Sequence, residues 1–220
     1  MKKIYLSPSE QPDNRYAYGN TNEKAVCREI AAYTEKALKR NGFEVITATA
    51  TALSVRCAEA DKWGADIYMP IHTNAFDKKV TGTRMFCYRL DGEGYKACKA
   101  IYNVLAPLTP GTSENITAQP GLYEVKTPKA PTVYIEVDFH DVPDIAKWII
   151  EHTKEIGEAI CRGICIHYGV TYKAESKPVT ENKTEKLYRV QVGAYGVKAN
   201  AEAMLAKLKK AGFDGYIKED

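Results

Sequence analysis

Over the first 170 residues, short apolar runs of strand length alternate with longer stretches whose apolar residues recur at helical spacing. Lys3 to Ser7 reads as a buried strand. Glu23 to Asn41 carries Val26, Ile30, Tyr33, Ala37 and Leu38 on one helical face, with Asn22 placed to cap its start and Gly42 to end it. Phe43–Thr47 and Asp66–Ile71 read as strands around a helix over Leu53–Trp63 that Gly64 closes. Val80–Tyr88 and Thr132–Val137 are further strands, Gly94–Leu105 is a helix stopped by Pro107, and Asp144–Tyr168 is largely helical. Strands alternating with helices of ten or more residues imply βαβ units. The expected fold is therefore α/β: a three-layer, doubly wound, mostly parallel sheet with helices on both faces.

In such sheets ligands bind outside the carboxyl ends of the strands. Three strands end in polar groups here: Leu6 runs into SPSEQ, Ile71 into HTN and Ile135 into EVDFHD. Those three loops should converge. The chain has 220 residues, 45% of them hydrophobic and 27% charged, which suits a soluble globular domain with a small appendage. A net charge of +3 is too weak to argue for nucleic acid. The N-terminus MKKIYLSPSEQ lacks the apolar stretch of a signal peptide, and no segment approaches a membrane span. Synthesis in the cytoplasm without a signal peptide is expected. The six cysteines are scattered, several on apolar faces, and read as reduced core residues rather than staples or zinc ligands.

Three residues at the predicted sheet edge carry chemistry. His72 follows a buried strand directly; alone, such a histidine is as readily a satisfied structural residue. Glu23 opens a helix, where the dipole favours a carboxylate regardless of function. Glu136 lies inside VYIEV, where even a neutral polar group costs about 2–7 kcal/mol and a charge costs more unless it is paired or ligated. Asp138, His140 and Asp141 follow it. One histidine and two carboxylates suit a catalytic zinc with an open position for water. Glu23 and His72 can be ligands, and Glu136 can take the proton from that water.

From Lys3 to about Tyr168, the chain resembles the zinc-dependent N-acetylmuramoyl-L-alanine amidases of the Amidase_3 family. IYLSPSEQ, NTNE, DIYMPIHTNAF with GTRMFCY after it, and PTVYIEVDFHDVPDIAKWI carry the resemblance. It implies a Zn²⁺ hydrolase that cuts the amide between N-acetylmuramic acid and L-alanine in peptidoglycan. It places one metal ligand at Glu23, another at His72 and the catalytic glutamate at Glu136. The remaining family ligand is a histidine in a strand-end D-P-G-H sequence, and Ser7, Pro8, Ser9 and Glu10 stand there instead. Glu10 is the expected third ligand. Gln11 or a water, or His140 as a second imidazole, are the alternatives, and loss of metal and catalysis is a fourth. Arg84 and Lys126 lie near the predicted face, as contacts for stem-peptide carboxylates or as solvated charge.

Composition shifts at Lys173, where KAESKPVTENKTEK reads as a linker. The expected division is a catalytic domain over 1–172, a linker over 173–186 and a small unit over 187–220. In that unit YRVQVGAY reads as a strand, Ala199–Lys210 as a helix and FDGYIK as a second strand. This βαβ unit resembles the first half of a SPOR domain, a peptidoglycan-binding module; pairing of the half unit with another chain would give self-association. The function expected is a cell-wall amidase, a phage endolysin or bacterial autolysin released by a holin or lysis. Its partners are glycan strands and stem peptides. A degenerate amidase fold that binds peptidoglycan without cutting it is the alternative.

Overall fold

Alternate residues of the first strand, β1 (Lys3–Pro8), point to two different cores. Ile4 and Leu6 join the larger apolar cluster, and Tyr5 joins a smaller one with Ala48, Cys57, Ala60 and Tyr68. Such an alternation arises when helices cover both faces of a sheet. The computed structural model describes residues 1–112, 115–175 and 190–218. Two units are distinguished, Met1–Glu175 and Ser176–Asp220.

In the first unit, β1 leads through α1 (Glu23–Arg40) to β2 (Glu44–Thr47), then through α2 (Leu53–Trp63) to β3 (Ile67–Asn74). β4 (Arg84–Cys87), α3 (Glu93–Leu105), β5 (Asn115–Ala118), α4 (Tyr123–Lys126), β6 (Tyr134–Phe139), α5 (Pro143–Glu151) and α6 (Thr153–Tyr168) follow. The sheet order is β2-β1-β3-β6-β4-β5, and every pairing is parallel except β4 with β6. β4 follows β3 without a crossover helix, so it is free to run antiparallel to its neighbour. From β1 the chain goes to β2 on one side and returns to β3 on the other. That reversal opens a crevice at the carboxyl ends of β1 and β3.

The larger core is built from residues of α1, α3, α5 and α6 against Ile67, Met69, Ile71, Met85, Ile135 and Val137 of the sheet. The even-numbered positions Tyr68, His72 and Glu136 fall on the other side of the pleat, which α2 covers through Cys57 and Ala60. All six cysteines are buried and free, as the sequence reading expects.

Differences from the sequence reading have local causes. β5 and α4, of four residues each, are too short to show periodicity. The helical stretch after Asp144 breaks at His152 into α5 and α6. In the second unit, α7 (Lys198–Lys210) forms where a helix is expected. Residues 190–195 and 213–218 have no assigned strand, and among the described residues they have no ladder partner. Residues 176–189, which hold all but the first three residues of the expected linker over 173–186 and the start of the expected strand, lie outside the described residues. Among the described residues, no helix is long and apolar enough to cross a membrane.

The helical layer is packed closely enough to require glycine. A Cβ at Gly163 of α6 would lie 2.4 Å from the Cα of Ile101 in α3, and one at Gly157 would lie 2.8 Å from the Thr34 nitrogen in α1. Backbone cannot swing aside as a flexible side chain can. Gly163→Val is therefore expected to destabilise the chain by about 3 kcal/mol, read as a lower denaturant midpoint. Gly121→Ala, where nothing lies within 4 Å, should leave the midpoint nearly unchanged.

Candidate active site

Glu23 is the first residue of α1 and is 1% exposed. The Asn22 side chain caps the helix by accepting from the Ala25 amide at 2.9 Å, and the Glu23 amide donates to the Asn14 carbonyl at 2.9 Å. The cap turns the Glu23 carboxyl inward, toward the end of β3. There its Oε1 lies 2.7 Å from Nδ1 of His72. Asn14 Nδ2 donates to Glu23 Oε2 and to Gln11 Oε1, both at 2.7 Å. Gln11 Nε2 in turn lies 3.4 Å from His72 Nδ1. One imidazole nitrogen, one carboxylate and one amide thus meet at a single point, with exposed Gln11 on the solvent side.

Glu136 is placed by the sheet. The β3–β6 register sets it opposite His72, and the β4–β6 register sets it opposite Arg84. Just beyond, β6 spends one more residue than β3 between paired positions, from Glu136 to Phe139 against His72 to Asn74. Such a bulge re-aims the residues around it. Asp138, within the bulge, accepts from the amides of Gly82 at 2.6 Å and Gly111 at 3.2 Å and so ties neighbouring loops to the strand end. Tyr134, two residues before Glu136, stacks on the His72 ring with centroids 4.8 Å apart.

The electrostatics are those of three carboxylates around one imidazole. Burial pushes the Glu136 carboxyl up to about 8; Glu23 adds to that rise, while His72 and Arg84 oppose it. Its Oε2 is buried without a hydrogen-bond partner. Burial alone would pull His72 down. Glu124, Glu23 and Glu136 override it and push the imidazole up to about 10. Burial acts to raise Glu23 and Glu124, but hydrogen bonds, above all with His72, hold both below the ordinary glutamate value.

The third ligand expected from the sequence has another occupation. Glu10 forms ion pairs with Lys24 at 2.7 Å, with Arg28, and with Arg56 at 3.3 Å. Arg56 is fully buried; it donates to the carbonyls of Ala50 and Pro8, both at 2.7 Å, and to the Ser7 hydroxyl at 3.0 Å. Glu10 therefore locks the loop after β1 to α1 and α2. His140 is likewise engaged: it stacks on Tyr16 at 4.8 Å and its Nδ1 lies 2.9 Å from the Thr73 hydroxyl. Burial lowers its pKa, favouring a neutral ring.

Among the described residues, no three His, Cys, Asp or Glu side chains form a metal-holding group. The groups at the centre are Glu23, His72 and the side-chain amide of Gln11, whose nitrogen faces the imidazole while its oxygen accepts from Asn14. Their charge and character suit a divalent cation: excess buried carboxylate around one imidazole, with an unpartnered Glu136 oxygen beside them. Sequence reasoning named Glu23, His72 and Glu136 and passed over Glu124. That residue lies on the short α4, 4% exposed, with its Oε2 3.8 Å from His72 Nε2.

Comparison with known proteins identifies the family. Residues 4–165 match Amidase_3, described as N-acetylmuramoyl-L-alanine amidase, and residues 169–219 match the SPOR domain. The sporulation-specific N-acetylmuramoyl-L-alanine amidase of Bacillus subtilis (strain 168) is 23% identical over 225 residues, spanning 99% of this chain and 84% of its own length. The catalytic domain of the amidase CwlV from Bacillus (Paenibacillus) polymyxa var. colistinus has a TM-score of 0.70 at 18% identity, covering 78% of this chain and all of its own. The amidase AmiC2 of Nostoc punctiforme has a TM-score of 0.67 at 20% identity, covering 76% of this chain and 97% of its own. These structural likenesses show the fold, and the sequence match extends over most of the chain. The chain belongs to the Amidase_3 family of N-acetylmuramoyl-L-alanine amidases and carries a SPOR domain at its C-terminal end.

Proposed function

We propose that the chain hydrolyses the amide between the lactyl group of N-acetylmuramic acid and the L-alanine of the stem peptide, with a zinc ion held by Glu23, His72 and Gln11. The observation that carries this reading is the pairing of His72 with Glu136 across β3 and β6, with Glu23 2.7 Å from the same imidazole. The family match supports the reaction, and the SPOR match supports peptidoglycan as the surface on which it occurs. The sporulation-specific relative favours remodelling of a bacterial wall, as an autolysin, over a phage endolysin. Glu10 leaves the ligand set because three cations hold it. Gln11 replaces it, turning its amide so that the oxygen faces His72 Nδ1, at the cost of its bond from Asn14.

A bound divalent ion would acidify a water and polarise the scissile carbonyl. Glu136 acts at its unpartnered Oε2: it takes the proton of the attacking water and returns it to the alanine nitrogen as the C–N bond breaks. A base held up to about 8 by burial is matched to that exchange near neutral pH. Arg84, opposite Glu136, keeps the base from becoming too weak an acid to give the proton back. The products are a lactyl carboxylate and a free L-alanine amine.

Three substitutions test this assignment. Glu136→Gln keeps the shape and should lower turnover on purified cell wall about 10²–10⁴-fold, read as new L-alanine amino groups, with zinc content unchanged. Turnover surviving that change would remove Glu136 as the base, and a wild-type chain that binds wall without cutting it would favour the non-catalytic alternative. Gln11→Ala should lower the zinc bound per chain. Glu10→Gln should instead retain zinc and cost about 3 kcal/mol of folding stability, because Arg56 loses its carboxylate partner. Zinc loss in the Glu10 chain with none in the Gln11 chain would reverse the two roles.

A further inference from the structure

Of the carboxylates around His72, Glu23 serves as donor and Glu136 as base, and Glu124 has neither task. It is nonetheless the most elaborately held of the three. Its Oε1 accepts from the Ser7 hydroxyl at 2.6 Å and from the Tyr68 hydroxyl at 2.7 Å. Ser7 also accepts from Arg56, so the cation that fixes the Glu10 loop fixes this carboxylate too. The Thr132 hydroxyl donates to the Glu124 backbone carbonyl at 3.0 Å. Two hydroxyls on one oxygen leave the other, Oε2, facing His72 Nε2 at 3.8 Å, an ion-pair rather than a hydrogen-bond distance. That nitrogen is buried and has no hydrogen-bond partner.

The two ring nitrogens of His72 therefore face different carboxylates, Nδ1 toward Glu23 and Nε2 toward Glu124. A histidine that gives Nδ1 to a cation carries its proton on Nε2, and the acceptor for that proton sets the ring's tautomer, its orientation and its strength as a donor. The Tyr134 ring, stacked within 19° of the imidazole plane, leaves rotation within that plane for a carboxylate to fix. We infer that Glu124 is a positioning residue: through Nε2 it holds His72 in the tautomer and orientation that present Nδ1 to the metal. This inference rests on His72 being a metal ligand. Its consequence is that a site with one imidazole gains donor strength from a carboxylate behind that imidazole.

Glu124→Gln separates this role from a structural one. Glutamine keeps an oxygen for the Ser7 and Tyr68 hydroxyls but can present an amide N–H₂ toward Nε2. The full chain and its variant are compared by competition for Zn²⁺ against a chromophoric chelator, and by ¹⁵N NMR of the histidine side chains without metal. The expected result is a zinc affinity lower by about 10–100-fold, together with a moved His72 Nε2 resonance while those of His140, His152 and His167 stay in place. An affinity within about twofold of the parent, well below the change a lost outer partner brings, or an unmoved His72 resonance, would overturn the inference. A parent chain with no zinc affinity would overturn the metal reading instead, and the His72 resonance would then still decide whether Glu124 orients the ring. Should the glutamine chain fail to fold, Glu124→Asp, whose shorter carboxyl withdraws from Nε2, carries the same two readings.

Discussion

The parallel pairing of β3 with β6 sets His72 opposite Glu136, and the rest of the site is arranged around that pair. Neither side chain would be stable at a sheet centre unaided, because a buried ionised group costs several kcal/mol, about 2–7 even for a neutral polar one, unless it is partnered. The fold supplies opposing charges from three directions. Glu23 reaches His72 from the start of α1, Arg84 lies opposite Glu136 on β4, and Glu124 stands behind the imidazole on α4. The pleat keeps this polar cluster off the main core: Ile71, Ile135 and Val137 point into the larger apolar cluster and their neighbours point away. Stability and chemistry thus occupy opposite faces of the same strands.

The loop after β1 is held by charge. A carboxylate at position 10 meets Lys24, Arg28 and the fully buried Arg56, and this ion cluster fastens the loop to two helices. The next residue, Gln11, is the one whose head lies 3.4 Å from His72. Ser7, on β1, links the two halves of the arrangement, since it accepts from Arg56 and donates to Glu124. The same polar wiring that takes Glu10 away from the imidazole brings Glu124 toward it.

Much of this was legible in the sequence, for identifiable reasons. The strands and the long helices announce themselves through periodicity. The three polar strand ends at Leu6, Ile71 and Ile135 lie on β1, β3 and β6, which are adjacent in the sheet. Glu136 stood out because charge inside a β-branched run demands a partner. The ion pairs of Glu10 are not legible in this way, because register along a chain says where a residue sits, not what its side chain meets; Arg56, 46 positions away on α2, is one of its partners. Glu124 went unnoticed because α4 has four residues, too few for any period to mark its buried face. The flanks of α7 show the converse limit: residues 190–195 alternate as a strand should, yet a strand exists only through its ladder partners.

The central claim is a zinc site built on one imidazole, His72, with oxygen donors completing it. X-ray absorption at the zinc edge of the loaded, full-length chain tests it most directly, because the outer-shell scattering of imidazole rings reports how many are bound. One imidazole in an otherwise oxygen-rich shell, lost on His72→Ala, is the predicted result. Two imidazoles, which would bring His140 out of its contact with Thr73, or no zinc retained at all, would contradict it.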